Sequence, residues 1–346
     1  MTAPFERALL VANPIAGRGR GSDQARALAG ELEARGLRVQ LFETRGPGEA
    51  TEVANWATSG SSVGHAEPPA DAELRAACAA AAALAPDVLI SIGGDGTLRE
   101  LLDGSAGRPL PTGMLPMGTA NVLALDFALP RKPSALAELV TAGTTRQLDL
   151  AEVHGACPDD MTGSGPIERR TSFLAVGLGL DAEIVRRVHA QRSGAITKWS
   201  YVPHAARAIF AHQPLDLEVE VDGAPLVGSD GKRPARIGAL LIANVVNFGG
   251  IVKLDPETRS DDGRWELYYW EKARIPYLAD SFVRGLFGRF PGGPCRVQRA
   301  REVRVRSKGA PSAPVFYHVD GDPGGYLPLD LRVTERRQPI LAPPIR

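Results

Sequence analysis

Two glycine-rich segments near the start of the chain contain the residue types that bind phosphate. One runs from Asn13 to Gly21 (NPIAGRGRG) and the other from Gly93 to Thr97 (GGDGT), each between a short apolar run and a helical pattern. Glycines let the backbone come close to an anion, and free N–H groups at a helix start attract negative charge. Taken singly, either segment is also explained as a simple turn, and the first lacks the GK[ST] ending of a Walker loop.

A third turn and two side chains extend this pattern. Leu115–Asn121 (LPMGTAN) is a Gly-Thr turn that follows an apolar stretch. Asp95 is short enough to reach a metal ion or a phosphate-linked group, whereas its alternative role is to form a turn. Thr97 can cap a helix or contact an oxygen. The three turns together predict a nucleotide pocket made of backbone amides and small side chains.

The segments around these turns predict a sheet that positions them. Ala8–Ala12 and Pro86–Ile92 are continuous apolar runs, typical of strands buried on both faces. Ser22–Arg35 has helical spacing after a serine N-cap candidate, Leu37–Phe42 predicts a strand, and Glu73–Leu84 predicts an Ala-rich helix. Alternating strands and helices predict a doubly wound parallel sheet, with ligands at the carboxyl ends of its strands.

The second half of the chain predicts antiparallel β-structure, in the form of a β-sandwich. Its apolar residues alternate with period two in several segments separated by turn signals, namely Asp216–Val221, Arg264–Trp270 and Val303–Arg306. We therefore predict a nucleotide-binding α/β domain over residues 1–127 and a β-rich substrate domain over 128–325, with the tail 326–346 returning to the first. The active site is expected in the cleft between the two domains.

Three further segments are predicted to lie outside the regular strands. They are a turn-rich surface loop at Ser59–Ala72, a helix at Pro203–Phe210 and a hairpin loop at Gly223–Pro234.

Composition excludes several classes of protein. The 40 Lys and Arg residues balance the 40 Asp and Glu residues, so no overall charge favours nucleic acid. The three cysteines, Cys78, Cys157 and Cys295, lack the spacing of a zinc site and fit a reducing cytosol. The chain shows no charged leader before a long apolar run and no apolar stretch near ~18 residues, so we expect a cytoplasmic protein without a membrane span.

Taken in order, the motifs resemble those of the diacylglycerol kinase catalytic-domain superfamily, which includes bacterial lipid kinases, sphingosine kinases and ceramide kinases. The first half contributes NPIAG, SIGGDGTLRELLDG and LPMGTANVLA. The second half contributes FLAVGLGLDA, IANVVNFGG, the Asp261–Gly263 segment and Val319–Asp322 (VDGD). The similarity covers nearly the whole chain, and this combination is far more specific than GGDGT alone.

The resemblance implies an ATP-dependent lipid kinase that transfers the γ-phosphoryl group to the hydroxyl of diacylglycerol, a sphingoid base, ceramide or a related lipid. In the family, magnesium next to the active site is held by the aspartate of an Asp-Gly pair and nearby carbonyls, which fits Asp262. The family's nucleotide contacts transfer to residues of the N-terminal turns and of the segment LFET, namely Asn13, Gly17, Thr44, Gly93, Gly94, Asp95, Gly96, Thr97 and Thr119.

The catalytic base of the family lies in an Asp-Gly-Glu motif, and here the sequence is Asp320-Gly321-Asp322. Aspartate is one methylene shorter than glutamate, so the unchanged Asp320 is the predicted base and Asp322 the second candidate. Asn121-Val122 is another departure, since many members have Asn-Asp. Arg18 or Arg20 can neutralise charge that develops on the transferred phosphate, and the choice between them stays open.

Two other functions compete with lipid phosphorylation. NAD kinases carry a similar glycine turn and a related two-domain layout, but the NPxxG-like opening and the late Asp-Gly-acid motif are typical of the lipid kinases. A catalytically silent regulator that binds nucleotide or lipid is the third hypothesis.

A lipid substrate implies peripheral contact with a membrane surface. Ser281–Phe290 (SFVRGLFGRF) mixes aromatic residues with arginines, although helix packing against a sheet is the commoner explanation. A strand with Arg299, Arg301, Arg304 and Arg306 can meet anionic lipid, or simply be a solvated face. We expect no nucleic-acid partner, and a homodimer is compatible with the sequence.

Overall fold

The computed structural model describes residues 4–59, 68–156, 167–190, 214–228, 231, 235–308 and 314–344. The chain divides into two compact units, one of Met1–Leu148 with Arg337–Arg346 and the other of Asp149–Arg336. The first unit extends past residue 127 because the helix Pro133–Ala142 packs in its core.

The first unit is built on a parallel sheet. Its strands are β1 (Arg7–Ala12), β2 (Arg38–Glu43), β3 (Val88–Gly93) and β4 (Thr112–Pro116). The strand order is β2-β1-β3-β4, and all neighbours run parallel. Near the chain end, Ile340 pairs in parallel with Thr112 and adds a strand beside β4.

Helices cover both faces of this sheet. They are α1 (Ala16–Gly19), α2 (Gly21–Glu33), α3 (Glu49–Ser59), α4 (Ala72–Leu84), α5 (Asp95–Ser105), α6 (Val122–Asp126) and α7 (Pro133–Ala142). Leu10 of β1 shares one core with α2 and α7, whereas Leu9 shares the opposite core with α3, α4 and α5. Successive strand residues point to opposite faces, so a strand buried on both sides is continuously apolar. The predicted doubly wound α/β unit is confirmed.

The second unit is predominantly antiparallel. Its strands, two of which begin or end in the first unit, are β5 (Thr145–Ala156), β6 (Ile167–Ser172), β7 (Ala175–Leu178), β8 (Leu217–Val221), β9 (Ala224–Pro225), β10 (Ala239–Ala243), β11 (Asn247–Phe248), β12 (Val252–Lys253), β13 (Trp265–Trp270), β14 (Arg296–Ala300), β15 (Glu302–Ser307), β16 (Phe316–Val319) and β17 (Asp322–Leu341). They pair in the order β14-β13-β10-β7-β16-β17, and β17 continues to β15, β8 and β9.

One apolar cluster lies between these strands, as in a β-sandwich. It joins Trp265 and Leu267 of β13 to Val303 and Val305 of β15. Within the described ranges two helices accompany the strands, α8 (Leu180–Ala190) and α9 (Ile275–Leu286). The predicted antiparallel sandwich is confirmed.

Two local predictions need correction. The helix α2 begins at Gly21 without a side-chain cap, so Ser22 is not its N-cap. A Cβ at position 21 would overlap the Asn13 carbonyl oxygen, so the tight turn before α2 requires glycine there. The strand β13 is buried at all six positions instead of alternating. It lies between β10 and β14, and Trp270 also donates a hydrogen bond to Ser281 of α9.

Several predicted features fall outside the described residues. The helix at 203–210, Cys157, most of the loop at 59–72 and part of the loop at 223–234 belong to this group. Cys78 and Cys295 are buried and form no disulfide.

Candidate active site

The strand order of the first unit creates a switch point between β1 and β3. From β1 the chain passes to β2 on one side, and β3 then pairs with the other edge of β1. Ligands of doubly wound sheets bind outside the carboxyl ends of the strands at such a point. The segment Asn13–Gly21 directly follows β1, and Gly94–Thr97 directly follows β3, so both glycine-rich loops lie at this edge.

The loops after β3 and β4 contact each other through their glycines. The N–H groups of Met117 and Gly118 both donate to the Gly93 carbonyl, at 2.7 and 3.2 Å. A Cβ on Gly118 would lie 2.6 Å from the Gly94 Cα atom, and a Cβ on Gly94 would lie 3.3 Å from the Gly118 Cα atom. Larger residues at either position would therefore force the two loops apart.

The loop after β1 is held in an unusual backbone conformation. Gly17 and Arg18 have φ angles of 60° and 63°, in the left-handed region that favours glycine. A Cβ on Gly17 would overlap the Met117 side chain, so the first loop also packs against the third. Arg18 and Arg20 are both exposed, and Arg20 Nε donates to the Gly17 carbonyl at 3.2 Å.

Asp95 links the second loop to the third. Its Oδ2 accepts from Val122 N at 3.0 Å and its Oδ1 from Leu123 N at 3.4 Å, so its carboxylate caps the start of α6. Asn121, with a φ of 47°, precedes this helix and donates from Nδ2 to the Gly118 carbonyl at 2.7 Å. Asp95 thus holds the shape of the loops, and this structural role accompanies any contact with nucleotide.

The predicted threonines lie at the same edge. Thr44 follows β2, and its N–H donates to the carbonyl of Ala12, the last residue of β1, at 2.8 Å. Thr97 lies in the first turn of α5 against Gly93, and Thr119 is exposed in the loop after β4. Every predicted nucleotide-binding residue is therefore in or beside the loops at the carboxyl ends of β1 to β4.

In the second unit, Asp320 and Gly321 form the two-residue turn between β16 and β17. Their φ angles are 53° and 84°, and Val319 pairs with Asp322 across the hairpin. Positive φ at both central residues is the signature of a type I′ turn, for which Asp-Gly is a preferred pair. The Asp-Gly pair of the motif therefore has a clear backbone role.

The Asp320 carboxylate is occupied by local donors. Its Oδ1 accepts from Ser172 Oγ at 2.7 Å and from the N–H groups of Leu174 and Ala175 at 3.0 Å each. Its Oδ2 accepts from Phe173 N at 3.1 Å. These bonds tie the hairpin turn to the start of β7. They give the Asp320 carboxylate a structural role in holding this turn.

The buried His318 and the partly exposed Asp181 form a pair beside this turn. His318 Nε2 is hydrogen-bonded to Asp181 Oδ2, and its Nδ1 faces the Gly321 N–H at 3.3 Å. A Cβ on Gly177 would overlap both side chains, so the glycine makes room for them. Burial by itself lowers the pKa of His318, but the carboxylates of Asp181 and of the two turn aspartates outweigh it and raise that pKa above its usual value. Asp322 therefore lies close enough to His318 for its carboxylate to interact electrostatically with the imidazole ring.

Asp262, the predicted magnesium ligand, lies in the turn before β13. Its Oδ1 accepts from Arg264 N at 3.0 Å, and its Oδ2 lies 3.8 Å from Arg299 Nη1. The buried Asp149 fixes this turn by accepting a hydrogen bond from Gly263 N. The Asp-Gly pair is therefore held in place by side chains that are distant in sequence.

A magnesium ion at Asp262 would need ligands other than side chains. Among the described residues, no group of three or more His, Cys, Asp or Glu side chains is arranged to hold a metal ion. Magnesium prefers oxygen ligands and usually keeps several waters or substrate phosphates. The carboxylate of Asp262 therefore fits the ion only if waters or substrate phosphates supply most of the other ligands.

Glu266 is a buried carboxyl group in the same region. Neither of its carboxyl oxygens has a well-aligned hydrogen-bond partner within the described ranges, although Arg299 Nε lies 3.3 Å from Oε1. Burial raises the pKa of Glu266 to about 7, with Asp262 adding to the effect and Arg299 opposing it. The folded protein therefore keeps a proton on Glu266 that the unfolded chain releases at lower pH.

This raised pKa predicts a specific pH dependence of stability. The contribution of Glu266 to the free energy of unfolding is fully present below its unfolded pKa near 4.5. As the pH rises towards about 7 this contribution is lost, and the free energy of unfolding falls by roughly 1.4 kcal/mol per pH unit. We expect Glu266→Gln to remove this slope, so that the variant gains stability relative to the parent between pH 5 and 8. Urea unfolding in EDTA at several pH values measures it. Parallel stability curves for parent and variant would contradict the assignment.

Comparison with known families agrees with this arrangement. Residues 7–153 match the diacylglycerol kinase catalytic domain, and residues 174–341 match the YegS C-terminal NAD kinase beta sandwich-like domain. Together they define a two-domain protein of a kinase family, with a catalytic domain and a β-sandwich-like domain. The chain belongs to the diacylglycerol kinase catalytic-domain superfamily.

The chain is also similar in sequence to a curated protein and in fold to solved structures. Diacylglycerol kinase from Staphylococcus aureus (strain JH9) is 25% identical over 260 residues, which cover 74% of this chain and 75% of that protein. The crystal structure of a diacylglycerol kinase from Bacillus anthracis (strain Sterne) matches with a TM-score of 0.65 at 16% identity, over 99% of this chain and 98% of that one. Yeast NADH kinase complexed with NADH matches with a TM-score of 0.50 at 11% identity, over 99% and 84%.

No helix within the described ranges is both long enough and apolar enough to span a bilayer.

Some residues of the site were not predicted from the sequence. His318 stands inside an ordinary strand pattern, and Asp149 and Glu266 are single acids among apolar neighbours. Asp181 belongs to the FLAVGLGLDA segment, and an acid after a glycine-rich stretch is the one signal that could have identified it. Their partners lie far away in sequence, so local patterns do not reveal them.

Proposed function

We propose that this protein is an ATP-dependent lipid kinase, which transfers the γ-phosphoryl group of ATP to the hydroxyl of diacylglycerol or a related lipid alcohol. The strongest support is the set of glycine loops at the β1/β3 switch point, in a chain whose family is that of the diacylglycerol kinases. Backbone N–H groups and helix starts at such loops bind phosphates without side-chain charge.

In this proposal the nucleotide phosphates bind the loops after β1 and β3, and the loop after β4 keeps them in shape. Gly94 and Gly118 leave the backbone uncovered where the loops meet. Asp95 contributes by capping α6, which fixes the third loop. Phosphoryl transfer depends mainly on such positioning and on charge stabilisation.

The transfer step needs a proton acceptor. The lipid hydroxyl oxygen bonds to the γ-phosphorus, the bond from that phosphorus to the bridging oxygen breaks, and ADP leaves with the electron pair. We propose that Asp322 takes the hydroxyl proton and that Asp320 positions it by holding the turn, because four local donors already occupy the Asp320 carboxylate. Magnesium, held by Asp262 and carbonyls, would supply charge neutralisation on the phosphates.

A substrate screen tests the proposal. Purified protein is incubated with γ-³²P-ATP and magnesium, and with diacylglycerol, sphingosine, ceramide or NAD as the acceptor. We expect label in a lipid and none in NADP. Label in NADP alone would favour a kinase of the NAD kinase type, and binding of ATP without any transfer would favour a regulator; either result overturns the proposal.

A further inference from the structure

The helix α9 and the residue that follows it expose an apolar surface that packing in the core does not explain. Val283, Leu286 and Phe287 are 50%, 44% and 73% exposed. With Ile275 and Ala279 they recur at helical spacing, so they form one stripe. We call these five residues the α9 stripe.

The opposite side of α9 is the one that packs in the second unit. Leu278, Ser281 and Gly285 are buried, and Ser281 Oγ accepts a hydrogen bond from Trp270 Nε1 at 2.9 Å. A Cβ on Gly285 would overlap the Val252 side chain, so the helix lies close against β12. Packing therefore explains the inner side of the helix and leaves the stripe unexplained.

The predicted aromatic segment Ser281–Phe290 is divided between these two sides. Phe290 is buried, with its ring centroid 5.2 Å from that of Tyr268. Phe287 points away from this aromatic cluster, as its exposure shows. The segment thus contains both a packing residue and an exposed apolar one.

Cations lie next to the stripe. Lys253 comes close to Gly288, since a Cβ built there would lie 3.8 Å from Lys253 Cδ. Arg289 is exposed, and within the described ranges neither Lys253 nor Arg289 forms an ion pair with a carboxylate. The nearby Arg284 and Asp280 neutralise each other, with Nε and Oδ2 2.7 Å apart. The charge left at this surface is positive.

We propose that the α9 stripe, with Lys253 and Arg289, is the surface by which the protein docks on an anionic lipid bilayer. Apolar side chains enter the boundary between headgroups and acyl chains, while lysine and arginine contact anionic headgroups. The inference rests on the proposed function, because a lipid kinase meets its acceptor at a bilayer. The proposal names the surface that contacts the bilayer. The phosphoryl-transfer reaction by itself does not specify that surface.

Sedimentation with vesicles tests the surface without relying on turnover. The vesicles contain phosphatidylcholine alone or phosphatidylcholine with about one third phosphatidylglycerol. Leu286→Ser/Phe287→Ser should lower the partition coefficient on the anionic vesicles at least ~10-fold, because two apolar side chains no longer enter the bilayer. Lys253→Gln/Arg289→Gln should lower it roughly tenfold on anionic vesicles and little on neutral ones.

The matched control is Ile167→Ser, which removes an apolar side chain that is 66% exposed elsewhere in the second unit. Its partition should equal that of the parent, and circular dichroism should show all variants folded. Equal partition of the stripe variants and the parent would overturn the inference. A second result would also overturn it: light scattering shows a dimer for the parent, the stripe variants lose this dimer, and they still bind vesicles. The α9 stripe would then bind a second copy of the chain.

A turnover assay separates this inference from the proposed function. On dispersed short-chain diacylglycerol below its micelle concentration, the stripe variants should phosphorylate at the parent's rate. On anionic vesicles with long-chain diacylglycerol their rate should fall in proportion to their loss of vesicle binding. A parent that binds vesicles through the stripe but phosphorylates no lipid would refute the kinase proposal and leave the docking surface standing. A stripe variant that loses the rate on dispersed substrate as well would overturn the docking role.

Discussion

Asp322→Asn should lower kcat by a factor of ~10²–10⁴ while leaving ATP affinity and thermal stability close to those of the parent. The substitution keeps the shape of the side chain and removes its ability to accept the hydroxyl proton. Asp322 begins β17 directly after the hairpin turn, and its neighbour His318 is buried. Steady-state kinetics, ATP titration by calorimetry and a melting curve measure the three quantities.

Asp320→Asn is the control that separates proton transfer from support. Three backbone N–H groups and Ser172 Oγ donate to the Asp320 carboxylate, and the amide of asparagine cannot accept all four. We expect a loss of about 2–4 kcal/mol in the free energy of unfolding together with a loss of turnover. Normal turnover in Asp322→Asn, with a severe and stability-neutral loss in Asp320→Asn, would return the role of base to Asp320.

A second large effect is expected for Gly118→Ala, which should weaken ATP binding about 10- to 100-fold. The new Cβ would lie 2.6 Å from the Gly94 Cα atom, so the loops after β3 and β4 must separate at a cost of about 1–3 kcal/mol. Because Gly94 starts the loop that binds phosphate in our proposal, its displacement should raise the ATP dissociation constant. Calorimetric titration with ATP measures the effect.

Gly107→Ala is the matched control, since a Cβ there meets no atom within 4 Å. It should bind ATP like the parent. Gly94→Ala, whose Cβ would be 3.3 Å from Gly118 Cα, should show a smaller loss than Gly118→Ala. Unchanged ATP affinity in Gly118→Ala would show that the nucleotide does not use these loops.

The α/β unit was predictable because its signals are local. A short apolar run followed directly by glycines identifies both the strand and the loop at its carboxyl end, as at Ile92 and Gly93. The order of strands was not visible, yet it is what makes the β1/β3 edge a switch point. The helix α3 escaped prediction because its small apolar face, with Ala50 and Ala57, barely differs from its surroundings.

The roles of the acidic residues were less predictable than their positions. Asp95 was expected at the nucleotide, but it also caps a helix 27 residues further along, which no local pattern reveals. An Asp-Gly pair is a common turn sequence, whereas the donors to Asp320 come from residues 172–175. The choice of Asp320 or Asp322 as the catalytic base therefore depends on side-chain partners that the sheet brings together. Sequence spacing does not reveal these partners.

The most direct test of the central claim follows the oxygen of the acceptor hydroxyl. Dioctanoylglycerol labelled with ¹⁸O at its free hydroxyl is incubated with the protein and Mg-ATP, and the products are analysed by mass spectrometry. We expect ADP and a phosphorylated lipid that retains the ¹⁸O atom between carbon and phosphorus, and we expect this product to form much more slowly in Asp322→Asn. ATP hydrolysis to inorganic phosphate without phosphorylated lipid, across diacylglycerol and sphingoid-base acceptors, would contradict it.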